Sequence, residues 1–262
     1  MAESEAERIS RSLRENNRVV DADLSGLSFE DYSLDGAQFE NCVAGDVRFV
    51  SGDLSATIWK DCRFSRCQFS NIRLTDAAFE NCAFFDPATT SGCAFRFCEL
   101  KEARFENCNL SMATYFVCDL FDVRFTDCAM RGAVFERPSF THSLGEGSRA
   151  RKVVQRAGHF EDCNLSDADL SEADLSSCSL IKCRLDNADF NGALLVNAAL
   201  RGCDLNHASL RMVNLNGADL RGADLTGFDL TELESYSGVQ ISAGQQHHIL
   251  RSLGIDVYPE GE

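Results

Sequence analysis

Residues 168–192 read ADLSE ADLSS CSLIK CRLDN ADFNG, which is five consecutive units of five residues. Each unit has a large apolar residue at its centre, and a small residue, Ala or Cys, lies two places before it. A period of five matches neither the 3.6-residue period of an α-helix nor the two-residue period of a strand. Two inward residues out of five cannot form a core unless copies of the unit stack, so the pattern predicts a solenoid.

The same spacing extends through most of the 262-residue chain. Counting every fifth residue gives central positions in three runs, 24–84, 95–140 and 160–230. Of these 38 positions, 37 carry a bulky apolar side chain, and Ala44 is the exception. The phase shifts by one residue within 85–94, where Pro and Gly occur, and this shift predicts a bulge or a small loop.

The chain has thirteen cysteines, and all of them fall on the small position of a unit. They are Cys42, Cys62, Cys67, Cys82, Cys93, Cys98, Cys108, Cys118, Cys128, Cys163, Cys178, Cys183 and Cys203. Because alanine takes this position in other units, cysteine acts here as a small core residue. Cys62 and Cys67 have a spacing that zinc sites use, but it equals the repeat period, and no second pair with histidines accompanies it. We therefore expect buried, reduced and unbridged thiols in a cytoplasmic protein.

Units such as ADLSE at 168–172 and ADLRG at 218–222 fit the pattern A-(D/N)-L-x-x. This pattern resembles the pentapeptide-repeat family over about 190 residues of the chain. The resemblance implies an all-β solenoid, a right-handed quadrilateral β-helix with four units per coil. At roughly 4.8 Å per coil, the units would make about nine and a half coils and a rod about 45 Å long.

Both ends of the chain carry helix-start signals, which predict short N-terminal and C-terminal α-helical caps. Ser4 and Glu7 have the spacing of a capping box, and Ser242 with Gln245 has the same spacing. Caps are expected because an open solenoid end would pair with other chains. The predicted organisation is a capping helix at 1–20, a β-helix at 21–140 with a minor break at 85–94, a basic loop or degenerate coil at 141–159, a further β-helix at 160–234, and a C-terminal helix and tail for capping and dimerisation at 235–262.

Residues 141–159 interrupt the repeat and differ from the rest of the chain in charge. They contain four basic residues and one acid, Glu146. The gap keeps the phase of the repeat, so the segment is either a degenerate coil or a projecting loop, and Gly145, Gly147 and Gly158 favour the loop. The candidate partner-binding residues in this segment are Arg149, Arg151, Lys152 and Arg156.

The chain has 41 acidic and 25 basic residues, for a net charge of −16. Binding to nucleic acid phosphates needs a basic face, so we expect no direct contact with nucleic acid. No apolar run is long enough to span a membrane, and the charged N-terminus lacks the apolar core of a signal peptide. Phosphate-binding loops, metal-ligand motifs and nucleophile elbows are absent from the sequence, so we expect no catalytic residue, metal or cofactor, and no enzyme activity.

The net charge along the expected rod is one per roughly 3 Å, against one per ~1.7 Å in duplex DNA. The acidic repeat, the loop and the C-terminal helix resemble the quinolone-resistance pentapeptide proteins. That resemblance implies a DNA mimic that binds DNA gyrase or topoisomerase IV and modulates it or protects it from inhibitors. The alternative is a scaffold or regulator that binds another protein through a solenoid face and has no topoisomerase role. The candidate acidic face consists of Asp169, Asp174, Asp189, Asp204, Asp219, Asp224 and Asp229.

The C-terminal segment carries more apolar surface than a lid on one coil end needs. The excess predicts a homodimer through a two-fold contact of this segment. The candidate dimerisation residues are Ile249, Leu250, Leu253, Ile255, Val257 and Tyr258.

Overall fold

Residues about twenty apart in the sequence lie one above the other, because four five-residue units make one coil. Phe39, for example, pairs in register with Trp59 on the next coil. The computed structural model describes residues 4–141 and 157–256. The architecture is the predicted all-β solenoid with a short helix at each end.

Each coil contributes one unit to each of four faces. We number the faces by their first central residues, so that face 1 begins at Val19, face 2 at Leu24, face 3 at Phe29 and face 4 at Leu34. The strands are β1 (Arg18–Val20), β2 (Ser28–Glu30), β3 (Gln38–Glu40), β4 (Val43–Gly45), β5 (Arg48–Val50), β6 (Ile58–Lys60), β7 (Arg63–Ser65), β8 (Gln68–Ser70), β9 (Ala78–Glu80), β10 (Phe85–Asp86), β11 (Ser91–Gly92), β12 (Ala94–Arg96), β13 (Arg104–Glu106), β14 (Thr114–Phe116), β15 (Arg124–Thr126), β16 (Val134–Glu136), β17 (His159–Glu161) and β18 (Ser179–Ile181).

Parallel pairing joins each unit to the same position on the next coil. Face 1 holds an eight-stranded sheet, β1-β3-β6-β9-β13-β15-β17-β18, and face 3 holds a six-stranded sheet, β16-β14-β12-β8-β5-β2. Face 2 carries the pair β4-β7 and continues as single bridges. On face 4, within the described ranges, the coils are joined by single bridges alone, from Ser33–Asp53 to Asn214–Ser235.

The core is a set of vertical stacks of central residues. Phe39 and Trp59 stack on face 1 with ring centroids 3.8 Å apart and an angle of 6° between their planes. Phe49 and Phe69 stack on face 3 at 4.7 Å and 3°. Stacked rings combine apolar burial with aromatic contact, and truncating one such side chain costs about 3–5 kcal/mol. From Leu165 onward the central positions are mostly leucine, and they remain buried.

The position two residues after each central residue, which we call the corner position, turns the chain onto the next face. Its backbone is left-handed in most units, for example at Asn107 with φ 51° and at Gly222 with φ 75°. Asn, Asp and Gly tolerate this conformation best, which explains why they are frequent there. The polar composition of the corners therefore follows first from backbone geometry.

Helices close both ends of the solenoid. Helix α1 (Glu5–Asn16) begins at the predicted capping box of Ser4 and Glu7, and it buries Ile9 against the first coil. After the last units come 3-10 helices at Leu230–Glu232 and Ala243–Gln245, and then helix α2 (Gln246–Ser252). The predicted terminal helices are thus confirmed.

Gln245 seals the C-terminal end of the core. Its side chain is buried, and Nε2 donates to the backbone carbonyls of Leu220 at 2.7 Å and Ala223 at 2.8 Å. Its Oε1 accepts from the backbone N–H of Ser242 at 2.6 Å. One amide side chain thereby satisfies backbone groups that a further coil would otherwise pair.

The phase shift after Phe84 is accommodated by a small antiparallel hairpin. Strands β10 and β11 pair Phe85 with Gly92 and Asp86 with Ser91. The Asp86 carboxylate accepts from the backbone N–H of Ala88 at 2.9 Å, which fixes the turn. The hairpin projects between face 2 and face 3, and face 3 resumes in register because β12 pairs with β8.

All thirteen cysteines are free and buried, as their position in the repeat predicts. Eight of them form one column at the small position of face 2: Cys42, Cys62, Cys82, Cys108, Cys128, Cys163, Cys183 and Cys203. Thiols in the column donate to backbone carbonyls, for example from Cys203 Sγ to Leu180 O at 3.0 Å. Burial raises the pKa of Cys178, on face 1, to about 12.

We expect thiol reagents to label almost none of the cysteines in the native protein and all thirteen in urea, because each thiol is buried and a thiol must ionise before it reacts. The measurement is a colorimetric thiol titration with and without denaturant at pH 8. Rapid native labelling of several cysteines would contradict the inward assignment of the small position.

Trp59 and Tyr115 take the place of phenylalanine in the stacks, and they differ in whether their polar group has a hydrogen-bond partner. The Trp59 indole N–H donates to Thr57 Oγ1 at 3.0 Å, and the Thr57 hydroxyl donates to Leu54 O at 2.7 Å. The Tyr115 hydroxyl is fully buried and has no hydrogen-bond partner among the described residues. An unpaired buried hydroxyl destabilises the folded state.

Replacing Tyr115 by Phe is therefore expected to raise the free energy of unfolding by about 1–2 kcal/mol, because the orphan hydroxyl disappears while the ring keeps its stacks on Phe95 and Phe135. Urea denaturation measures the change. Phe135→Tyr is the matched control, since it adds a hydroxyl to the same column and is expected to lower stability. A less stable Tyr115→Phe variant would show that the hydroxyl is satisfied in solution.

Candidate interaction surfaces

The described surface offers faces and corners rather than an enclosed site. Within 4–141 and 157–256, no three His, Cys, Asp or Glu side chains are grouped so that they could hold a metal ion. None of the helices described above is long and apolar enough to cross a membrane. Candidate functional residues are therefore outward side chains on the four faces and at the two ends.

The seven aspartates of the predicted acidic face share a structural role. Each lies just before a central residue, and its Oδ1 accepts from the backbone N–H two residues later, which forms an Asx-turn. The donors are Ser171, Ser176, Asn191, Asn206, Arg221, Thr226 and Thr231, and the acceptors are Asp169, Asp174, Asp189, Asp204, Asp219, Asp224 and Asp229, at 2.8–3.2 Å. These carboxylates hold the turns of the last coils.

The structure does not bring these seven aspartates onto one face, so that prediction is wrong. Asp169 and Asp189 bridge on face 3, and Asp204 and Asp224 bridge on face 2. The remaining three are Asp174 on face 4, Asp219 on face 1 and Asp229 as the cap of the 3-10 helix Leu230–Glu232. The physical reason is the four-unit coil: residues five apart occupy neighbouring faces, and only residues about twenty apart share one.

The largest excess of acidic over basic side chains is on face 4, which the sequence analysis missed. Its outward and corner positions carry eight acids and two bases in the described ranges. The acids are Asp35, Asp53, Asp76, Glu99, Glu102, Asp119, Asp122 and Asp174, and the bases are Arg73 and Lys101. Lys101 pairs with Asp119 at 3.2 Å, and Arg73 pairs with Asp53 at 2.8 Å. Summing charge over every fourth unit of the sequence would have revealed this face.

Asp219 is the most strongly perturbed of the seven predicted aspartates. Its carboxylate accepts from the side chains of Arg221 and Arg201 and from the Arg221 backbone N–H. The Arg221 side chain first, and then Arg201, hold the pKa of Asp219 well below its usual range. This cluster joins adjacent coils on face 1 close to the C-terminal cap.

Because the folded-state pKa of Asp219 is lowered, its ionic contribution to stability is present above the unfolded-state pKa and is lost as the pH falls below it. We expect Asp219→Asn to lower the free energy of unfolding by about 1–3 kcal/mol at pH 7, and the difference from wild type to shrink toward pH 2. Urea denaturation over this pH range measures it. A difference that is independent of pH would contradict the ionic role.

At the C-terminal end, four of the six predicted dimerisation residues are described, and they divide into two groups by exposure. Ile249 is half-buried and packs against the core, and Leu250 is also half-buried. Leu253 and Ile255 are 44 % and 49 % exposed. The last two candidates, Val257 and Tyr258, lie outside the described residues.

The basic residues of the interrupting segment, Arg149, Arg151, Lys152 and Arg156, also lie outside the described residues. The described chain reaches Thr141, after the last face 4 unit before the interruption, and resumes at Ala157, before β17 on face 1. Their role as a partner-binding loop remains a prediction.

Comparison with known proteins supports the interpretation of the five-residue unit as a pentapeptide repeat. The family model described as a pentapeptide repeat region matches residues 156–233. A relative from Scandinavium goeteborgense, the quinolone resistance pentapeptide repeat protein QnrB96, is 32 % identical over 81 residues. The matched stretch is 31 % of this chain and 38 % of that relative, so it spans well under half of the relative's length.

Solved structures of pentapeptide-repeat proteins share the fold. A trypsin-treated variant of QnrB1, described as a plasmid-mediated fluoroquinolone resistance protein, matches with a TM-score of 0.66 and 24 % identity over 92 % of this chain and 99 % of that one. HetL from the cyanobacterium Nostoc sp. strain PCC 7120, involved in heterocyst differentiation regulation, matches with a TM-score of 0.61 and 23 % identity over 90 % and 93 %.

The chain folds as a four-sided β-solenoid of five-residue units, and its residues 156–233 match the pentapeptide repeat region. Within that class it is similar to the quinolone-resistance group, in sequence along part of its length and in fold along nearly all of it. Both statements confirm the resemblance identified from the sequence.

Proposed function

We propose that this protein is a non-enzymatic, cytoplasmic DNA mimic that binds a type II topoisomerase, DNA gyrase or topoisomerase IV, and modulates it or protects it from inhibitors. The observation that carries the proposal is the acidic face 4. Support also comes from the similarity to proteins named for quinolone resistance. The partner is a protein rather than a nucleic acid, because a chain of net charge −16 repels phosphates.

The charge on face 4 has the regularity that mimicry requires. From Asp53 to Asp122 the face carries six acids over four coils. At ~4.8 Å per coil, this is roughly one carboxylate per 3 Å. Arg73 and Lys101 lie on the same stretch and reduce the net charge to roughly one per 5 Å, about a third of the charge density of duplex DNA, which has one charge per ~1.7 Å. A basic DNA-binding saddle would be attracted to this face by the same long-range electrostatics that attract it to DNA.

The test is a supercoiling assay with purified gyrase, with and without a fluoroquinolone, in which the rod is titrated. The variant Glu99→Gln/Glu102→Gln removes two charges from face 4, and the control Glu80→Gln/Glu106→Gln removes two from face 1. We expect the half-maximal concentration to rise about tenfold for the face 4 variant and to change by less than about twofold for the control. Absence of any wild-type effect on gyrase and topoisomerase IV would refute the proposal.

We also propose that two copies join through the C-terminal segment, including Leu253, Ile255, Val257 and Tyr258. Leu253 and Ile255 expose apolar surface beyond the lid that Gln245 closes, and burial against a second copy removes it from water. Joined rods would present a longer acidic cylinder to the topoisomerase.

In sedimentation equilibrium, we expect Leu253→Glu to convert a dimer into a monomer, because the new carboxylate would be buried in the contact. Ile58→Glu is the control: it places the same charge at a comparably exposed aliphatic residue on face 1, near the N-terminal end of the rod, and is expected to leave the dimer intact. A wild-type protein that sediments as a monomer at micromolar concentration would show that α2 is a lid alone.

The alternative function is a scaffold or regulator with no topoisomerase role. It is favoured by the fold similarity to HetL, a protein involved in regulating differentiation. The assay above separates the two functions, since a scaffold would leave supercoiling and drug sensitivity unchanged for every variant.

A further inference from the structure

Face 3 carries an aromatic patch about halfway along the rod. We define the patch as Phe97, Phe116 and Val117, which lie on two successive coils. Phe97 is 55 % exposed, and its ring meets the ring of Phe116 edge-on, with centroids 5.2 Å apart and planes at 88°. Neither ring belongs to the core stacks, which are formed by the central residues Phe95 and Tyr115 of the same units.

Two members of the patch occupy corner positions with left-handed backbone. Phe97 has φ 54°, and Val117, which is β-branched, has φ 51°. The corner below them on the same edge is Asn71, a residue that suits this conformation. A bulky side chain at such a corner costs about 1–2 kcal/mol relative to glycine, and Phe97, which is exposed, offsets little of this cost by burial, whereas Val117 is half-buried. Folding alone therefore does not explain these side chains.

Two arginines flank the aromatic patch. Arg137 places its guanidinium carbon 5.7 Å from the centre of the Phe116 ring, in a cation–π contact. Arg96 lies one coil below Phe116 and Glu136 one coil above it, both in register with Phe116, so the basic residues exceed the acidic ones by one. In the described part of the chain, neither guanidinium forms an ion pair or a hydrogen bond, which is also true of Arg48, Arg63 and Arg211, whereas Arg66 and Arg73 pair with carboxylates.

We propose that the aromatic patch and its two arginines bind an extended segment of another protein that presents an apolar side chain next to carboxylates. The apolar side chain would cover the exposed edge of Phe97 and Val117, and the carboxylates would pair with Arg96 and Arg137. Aromatic residues and arginine are the types that contribute most to binding when a partner buries them. The patch would attract acidic segments, whereas face 4 would attract basic ones. This site therefore goes beyond the proposed DNA mimicry.

The experiment is selection of displayed random twelve-residue peptides on the full-length protein, followed by fluorescence anisotropy with the enriched peptides. We expect enrichment of peptides that combine Asp or Glu with aromatic or large aliphatic residues. The variant Phe97→Ser/Phe116→Ser is expected to weaken their binding at least about thirtyfold. Arg96→Glu/Arg137→Glu is expected to shift the enriched peptides from acidic to basic.

Met212→Ser is the matched control, because Met212 is 63 % exposed at a corner position on the same edge of face 3, several coils away. It is expected to leave peptide binding unchanged. Thermal unfolding of each variant verifies that the rod is intact.

Three results would overturn the proposal. They are the absence of any enriched peptide that combines acidic with large apolar residues, an unchanged set of enriched peptides on Arg96→Glu/Arg137→Glu, and equal binding of the enriched peptides to Phe97→Ser/Phe116→Ser. If the same double variant instead lowers the sedimenting mass of the protein, the patch is a contact between copies of this chain.

Discussion

The parallel backbone ladder between successive coils is the constraint on which the rest of the structure depends. It runs, for example, from Leu110 N–H to Ala129 O at 2.6 Å and from Leu24 N–H to Val43 O at 2.7 Å. Because every unit must meet its counterpart four units later, the central and small residues must recur every five residues without drift. The insertion after Phe84 is tolerated because β10 and β11 loop it out and leave β12 in register with β8.

The ladder separates positions where the structure restricts the residue type from positions where it does not. Central and small residues are fixed by packing, and corner residues are constrained by left-handed backbone. Aspartate before the central residue is also structural, since Asp169 and its six counterparts accept a turn hydrogen bond from the backbone. The number of aspartates in the last coils therefore reflects how many of the turns there are Asx-turns. It does not by itself identify a binding surface. Asp53 and Asp119 on face 4 make the same turn bond, so functional inference has to rest on how charge sums over one face and not on single aspartates.

This division accounts for what could be predicted from the sequence. A period of five identifies which residues point inward, so the solenoid and the buried cysteines follow from it, and the capping box follows separately from the spacing of Ser4 and Glu7. The same period does not show which units share a face. That requires the number of units per coil, which is four, and the assignment of every fourth unit to the same face. For that reason the seven aspartates were grouped wrongly and the acids of face 4 were missed. Phe97 and Val117 were overlooked because apolar residues at corner positions do not stand out in a sequence already rich in phenylalanine.

The arrangement of face 4 and the aromatic patch limits how partners can bind together. Phe97 lies at the corner between face 3 and face 4, and Glu99 follows two residues later in the same coil. A basic surface that covers Glu99 would meet Arg96 and Arg137 at its edge, where like charges repel. Under the proposed function, a DNA-binding saddle would therefore approach face 4 from the side of face 1, and this approach would leave the patch open to the proposed acidic segment. The two surfaces are close enough to be occupied by separate parts of one assembly, and their opposite charge preferences set the direction in which each part must approach the rod.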